Sequence, residues 1–445
     1  MPTAMRRLRC AALAAAAALM APAVPSQQPP PTQQPPPAQQ PQVTGVGTGA
    51  AGSRIPIAVA PAAPGSSTAG DLVGTIRADL EFTGYFDVLP EERARLVPTD
   101  APATSPPLRD WLSVGADSLL TTRVSAQPGR VSCDATLYDT RSGERVLERR
   151  YGGEVDLARR VAHKIADDIV RQLTGQPGIS LTRIAYVAKT GAGVKEIFLM
   201  DYDGERARRL TRTGTLCLSP AWSPDGEKLA YISFRGREPG IDIVDRNGRI
   251  TRVPTGGGDL NSAPDWSPDG GLLAYSSNRD GNSEIYVMAL ATGSERRLSF
   301  NASIDSSPCW SPTGREIAFT SGRAGSPQIY IMDESGGNLR RLTFNGDYND
   351  SAAWSPRGDR IAYTSRVNGR FEIFVHDLSR GSAVQITSGP GNKENPRWAP
   401  DGRHMVFSSS RSGEYRICTV GADGSNLREL TSGAAAFTPD WSHPG

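Results

Sequence analysis

Acidic side chains recur shortly before a repeated tryptophan, at Asp305, Asp350 and Glu394, with Asp259 in the corresponding stretch one unit earlier. Carboxylates are hard oxygen ligands, so these four, if drawn together, would gather a cation such as Ca2+. Held apart, they are the solvated acids of ordinary loops. Around them stand four short polar runs: Leu260-Asn261-Ser262-Ala263, Asp305-Ser306-Ser307, Asn349-Asp350-Ser351 and Lys393-Glu394-Asn395. Such runs suit a peptide or protein partner. No catalytic constellation accompanies them, since G-x-S-x-G, Walker, H-E-x-x-H and C-x-x-C patterns are all absent from the sequence. The four histidines are His163, His376, His404 and His443, and they share no repeat position that would aim them into one channel. His163 falls one position off the apolar stripe of a helix. Nothing nearby in sequence supplies the partner a general base needs, so it reads as structural.

The elements that position the polar runs are set by a repeat. Trp222-Ser223-Pro224-Asp225-Gly226 recurs at Trp266, Trp310, Trp354 and Trp398 as Trp-(Ser/Ala)-Pro-x-Gly, and Trp441-Ser442 follows. Successive tryptophans stand 44, 44, 44, 44 and 43 residues apart. In the turn, Pro pre-sets φ, Asp suits the next position and Gly tolerates the exit conformation. Three strands are expected after each turn, in sets starting at Lys228, Leu272, Glu316, Arg360 and His404, and a further set starts at Arg183 without a preceding tryptophan strand. Four short strands per 40–45 residues is the pattern of a propeller blade. The strand around Trp441 should complete the first blade and close a ring of six, which leaves no open sheet edge. The polar runs then precede the innermost strands and converge on one channel mouth.

Ahead of the ring, residues 54–180 read as a small mixed α/β domain. Strands are expected at 55–59, 85–89, 119–125, 131–138 and 144–151, and a helix at 71–82. A second helix, capped by Asp156 and stopped by Gly175, carries Leu157, Val161, Ile165, Ile169 and Leu173 on one face. The chain is therefore multidomain: α/β first, then an all-β six-bladed propeller over 181–445, closed by its C-terminal strand.

Composition bounds the rest. A formal charge of +2 over 445 residues is too balanced for a nucleic-acid footprint. No apolar run beyond the N-terminus is long enough for a membrane span. Residues 1–23, with Arg6, Arg7 and Arg9 before an alanine-rich core and Ala21-Pro22-Ala23, read as a cleaved export signal. Residues 24–53 form a Pro/Gln/Gly-rich tether that favours polyproline II and buries no core. An exported chain with Cys133, Cys217, Cys309 and Cys418 invites disulfides. Their inequivalent repeat positions favour buried free thiols instead.

With these features together, the chain resembles the TolB family, the periplasmic component of the Tol-Pal system of Gram-negative bacteria. The resemblance spans about residues 54–445. It rests on the tryptophan repeats, Arg183-Ile184-Ala185-Tyr186-Val187, Ala162-His163-Lys164-Ile165-Ala166-Asp167, Leu173-Thr174-Gly175 and Ile55-Pro56-Ile57-Ala58-Val59. It implies a non-enzymatic adaptor. By position, the loops before Trp266, Trp310, Trp354 and Trp398 match those that bind Pal, the peptidoglycan-associated lipoprotein. The N-terminal region would engage the C-terminal domain of TolA as an added strand, although Gln42-Val43-Thr44-Gly45-Val46-Gly47 departs from the expected apolar segment. Two other classes compete with the adaptor. One is an exported propeller hydrolase or lyase acting on peptides or glycans. The other is a carbohydrate-binding module, which the polar runs, lacking aromatics, do not favour.

Overall fold

The computed structural model describes residues 54–62, 66–98, 105–154, 157–236, 238–257 and 260–444. The signal and tether expectations, Asp156 and Asp259 lie outside these residues.

The N-terminal domain is one five-stranded sheet. Its β1 (Ile55–Val59) leads into α1 (Ser67–Thr83), and β2 (Phe86–Val88) returns parallel to β1. Two short helices follow, α2 (Glu91–Ala94) and α3 (Leu108–Ser113). The strands β3 (Ser118–Gln127), β4 (Arg130–Asp139) and β5 (Arg145–Glu154) then form an antiparallel meander, and α4 (Ala158–Thr174) ends the domain. Sheet order is β2-β1-β3-β4-β5.

Helix α1 starts earlier than its periodicity suggests, because the Ser66 hydroxyl accepts a hydrogen bond from the Ala69 amide and caps it. Gly175 ends α4 with φ 70°, the left-handed cap a side chain would strain. Leu72, Ile76 and Leu80 of α1 meet Ile165 and Ile169 of α4 over the sheet, all essentially fully buried. Each such side chain contributes about 1.5–3 kcal/mol by leaving water. The two short helices, not foreseen from periodicity, cover the other face, where Trp111 packs with Leu89, Ala94, Leu119 and Tyr138.

Six four-stranded blades follow, and their second strands begin at Arg183, Lys228, Leu272, Glu316, Arg360 and His404, as the repeat predicts. The closing strand Ala436–Trp441 pairs antiparallel with Arg183–Gly191, setting Trp441 opposite Ile184. Ser442 seals this joint, its hydroxyl accepting from the Arg183 amide at 2.9 Å and its amide donating to the Arg183 carbonyl at 2.8 Å. In the turns after Trp222, Trp266, Trp310 and Trp354, serine does more than fill space. The Ser223 hydroxyl accepts from the Lys228 amide at 2.9 Å and contacts Asp225 Oδ1 at 2.6 Å, while the Gly226 amide donates to the Ser223 carbonyl. Cys133, Cys217, Cys309 and Cys418 are free and buried.

The N-terminal domain docks on the propeller face that carries these turns. Asp79 of α1 accepts from the Tyr202 hydroxyl at 2.5 Å and pairs with His163 Nδ1 of α4 at 2.7 Å. The partner that sequence could not supply for His163 is thus Asp79, 84 residues away, with Tyr202 of the first blade as the third member. Arg159 pairs with Asp203, Phe82 stacks on His404 at 4.5 Å, and Arg403 lies over Tyr85 at 4.2 Å. Between the domains, Asp167 accepts the Ser180 and Leu181 amides, and a Cβ on Gly178 would overlap its carboxylate. Among the described residues no helix is long and apolar enough to cross a membrane.

Candidate functional site

The innermost strands run from the channel mouth to the tryptophan: Cys217–Trp222, Asn261–Trp266, Asp305–Trp310, Asn349–Trp354, Lys393–Trp398 and Ala436–Trp441. The polar runs expected as loops are therefore strand; only Leu260 precedes one. Strand alternation, interrupted by a bulge at the third residue, divides their side chains into two sets. The first residue of every innermost strand is buried, the next two are half-exposed.

The buried set holds blades together. Lys393 Nζ donates to Glu372 Oε1 of the preceding blade at 3.0 Å and to the Gly389 and Gly391 carbonyls. Asn349 Nδ2 donates to Gln328 Oε1 at 2.9 Å, and Asn261 Nδ2 reaches Thr255 Oγ1 at 3.3 Å. Asp305 accepts from Arg323 and from Asn301, each at 2.7 Å, and burial raises its carboxyl above the ordinary value while Arg323 pulls it down. These four side chains, expected at a binding surface, are committed inside the ring. Their hydrogen bonds tie the row to neighbouring strands and connections, although Asn261 Oδ1, Asp305 Oδ1 and Asn349 Oδ1 stay buried without a partner.

The half-exposed set faces the mouth: Ser262, Ser306, Asp350 and Glu394, then Ala263, Ser307, Ser351 and Asn395. The second four adopt positive φ, as do Ser219 and Thr438 at the same repeat position, between 41° and 58°. Each sits at a register shift, a bulge that bends the inner strand. The backbone there is pinned by a hydroxyl on the neighbouring blade: Ser276 accepts from the Ser307 amide at 3.2 Å and Thr364 from the Asn395 amide at 3.1 Å. Strained backbone repeated around a channel rim fits a surface built for contact. Asp350 accepts from Thr320 at 2.7 Å and Glu394 from the Tyr415 hydroxyl. Asp305, Asp350 and Glu394 do not form a tight ligand set; among the described residues the one such group is Asp79, His163 and Asp203 at the domain junction.

Sequence reading missed the apolar part of the mouth. Phe300 is 73% exposed, Ile304 63% and Phe344 47%, all on connections leading into innermost strands, beside Leu260 at 40%. Arg297 and Arg341 lie over the Phe300 and Phe344 rings at 4.6 and 4.9 Å. The signal was available: Phe300 and Phe344 stand 44 residues apart, in one repeat register.

Toward the tryptophan end, a cavity of about 410 Å3 holds Asp265, Cys309, Arg397 and Asp440, each just before a tryptophan. Asp265 Oδ2 accepts the Trp310 amide at 2.7 Å and Asp440 Oδ2 the Trp222 amide at 2.6 Å. Arg397 Nε lies 3.5 Å from Asp440 Oδ1. Burial pushes Asp265 up to about 7 and Asp440 to about 6, with Arg397 opposing both. The same burial pushes the Cys309 thiol up to about 12, which leaves it unreactive as a nucleophile at neutral pH.

A model of the TolB beta propeller domain matches residues 170–444, and one of the TolB amino-terminal domain matches residues 47–146. The chain belongs to the TolB family. Among curated relatives, the Tol-Pal system protein TolB of Anaeromyxobacter dehalogenans is 38% identical over 191 residues, 42% of this chain and 43% of that protein. That of Chromobacterium violaceum is 36% identical over 198 residues, 44% of this chain and 46% of that protein. The alignments thus span less than half the length of these relatives. The crystal structure of TolB from Acinetobacter baumannii superposes with a TM-score of 0.77 at 27% identity, covering 91% of this chain and 99% of that one. The TolB architecture of α/β domain and six-bladed propeller is accordingly that of this chain, with the mouth and the N-terminal domain on opposite propeller faces.

Proposed function

We propose that this chain is a non-enzymatic periplasmic adaptor of the Tol-Pal system. In this reading the propeller mouth binds the peptidoglycan-associated lipoprotein Pal, and the region ahead of residue 54 binds the C-terminal domain of TolA. The pair of contacts would support outer-membrane integrity and envelope constriction at cell division. One observation carries the reading: exposed Phe300, Ile304 and Phe344, on two successive connections, stand on the face whose mouth holds half-exposed Asp350 and Glu394. Exposed aromatic and aliphatic side chains next to polar ones suit a specific protein interface. Export by residues 1–23 would place the chain with these partners.

Pull-down with Pal from the same organism tests it. Unmodified chain is expected to retain Pal, and a Phe344→Ser, Glu394→Ala variant to lose at least tenfold in affinity, about 1.4 kcal/mol or more. Failure of the unmodified chain to bind Pal overturns the reading.

A further inference from the structure

A second concave site lies at the other face, where α4 meets the turns of the first two blades. It is a cleft of about 490 Å3, within the roughly 300–1,000 Å3 typical of ligand sites. Five guanidinium groups line it: Arg160, Arg183, Arg206, Arg208 and Arg246. Two acids, Asp201 and Glu227, oppose them. Glu227 is taken by Arg246 at 3.1 Å. Among the described residues Arg160, Arg183 and Arg208 make no ion pair. Burial holds the Arg183 guanidinium below its ordinary value; Asp201 opposes this, and the like charges of Arg246, Arg208 and Arg160 add to it. Crowded like charge in a concave, low-dielectric wall focuses a positive potential that an anion relieves.

A second observation is independent of charge. His163 belongs to the cleft wall and is 3% exposed, yet its Nε2 is buried with no hydrogen-bond partner. Asp79 accepts from Tyr202 and so faces His163 as an acceptor, which puts the imidazole proton on Nδ1. With the proton on Nδ1, Nε2 is left an unused acceptor in the wall of the cleft that the arginines line.

Oxygen acceptors for several arginines and one O–H for His163 describe a single chemical group. We propose that this cleft binds a phosphate group, either free in solution or on a lipid headgroup. Arginine forks match phosphate oxygens in paired hydrogen bonds, and a P–OH satisfies His163 Nε2. Sulfate offers the same oxygens without the O–H.

Calorimetric titration of the purified chain at constant ionic strength tests this, using inorganic phosphate and, separately, sulfate. Saturable phosphate binding is expected, with sulfate several-fold weaker. Arg160→Gln with Arg208→Gln, both exposed and free of ion pairs among the described residues, should weaken phosphate at least tenfold. Arg109→Gln with Arg123→Gln, exposed and outside the cleft, should not. Thermal unfolding of both double variants checks that each still folds. Co-sedimentation with phosphatidylcholine vesicles, with and without phosphatidic acid, separates the sources. Free-phosphate binding together with vesicle binding that is lost in the cleft variant assigns a headgroup, and binding of free phosphate alone assigns a soluble ligand. No saturable phosphate binding, equal affinity for sulfate, an unaffected cleft variant, or vesicle binding without free-phosphate binding each overturns the proposal.

Discussion

At the scale of single residues, neighbours along one strand have unlike duties. Lys393 is inside the ring on Glu372, while Glu394, one residue later, is at the mouth. Lys393→Ala leaves the Glu372 carboxylate buried and unpaired, so it should lower unfolding free energy by about 3–5 kcal/mol. Glu394→Ala should change it by less than about 1 kcal/mol. Urea unfolding of the two variants checks the contrast, and equal losses would contradict the division. The channel acids add a pH dependence. Asp265 and Asp440 carry folded values raised to about 7 and about 6, so the folded state holds protons the unfolded chain has released. Their contribution is therefore fully present below about pH 4 and is lost as pH rises through 6–7. Asp265→Asn removes that dependence for one group: its unfolding midpoint relative to the unmodified chain should climb between pH 4 and pH 8. A difference that stays flat or falls would contradict the raised value.

At the scale of elements, two devices shape the propeller: the closing strand and the six bulges. Trp441 is buried, donates its indole N–H to Thr182 at 2.8 Å, and sits where first and last blades meet. Trp441→Ala should cost about 3–5 kcal/mol and should expose the Ile184–Ala188 amides to hydrogen exchange first, because the ring opens at its seam. Uniform loss of protection in all blades would count against that. The seam and the blade starts were legible in sequence because one tryptophan register runs through six copies. The bulges were not, since Ala263, Ser307 and Thr438 bear no glycine to announce positive φ. Nor was the burial of Asp305 and Lys393: both are polar, and only the strand's alternation turns them inward. His163 and Asp79 are 84 residues apart on different helices, a distance no local pattern bridges. The short helices around Trp111 lack enough turns to show a period.

At the scale of the whole molecule, the two faces of the propeller are put to different uses. One carries the bulged mouth and the exposed Phe300, Ile304 and Phe344. The other receives the N-terminal domain through Asp79, His163, Phe82 and Tyr85, and forms the arginine cleft beside it. Asp79→Ala strips the acceptor from both His163 and Tyr202 and should cost about 1–3 kcal/mol for each donor left buried. Its signature is earlier unfolding of α1 and α4 with the blades intact, readable by limited proteolysis. The central claim is that the mouth, and not the docked face, is where a protein partner binds. Amide hydrogen exchange with and without Pal measures this most directly. New protection is expected at the amides of Ser306–Ser307, Asp350–Ser351 and Glu394–Asn395 and on the connections bearing Phe300 and Phe344. Protection confined to the Trp-Ser-Pro turns and the α4 side of the ring would contradict it.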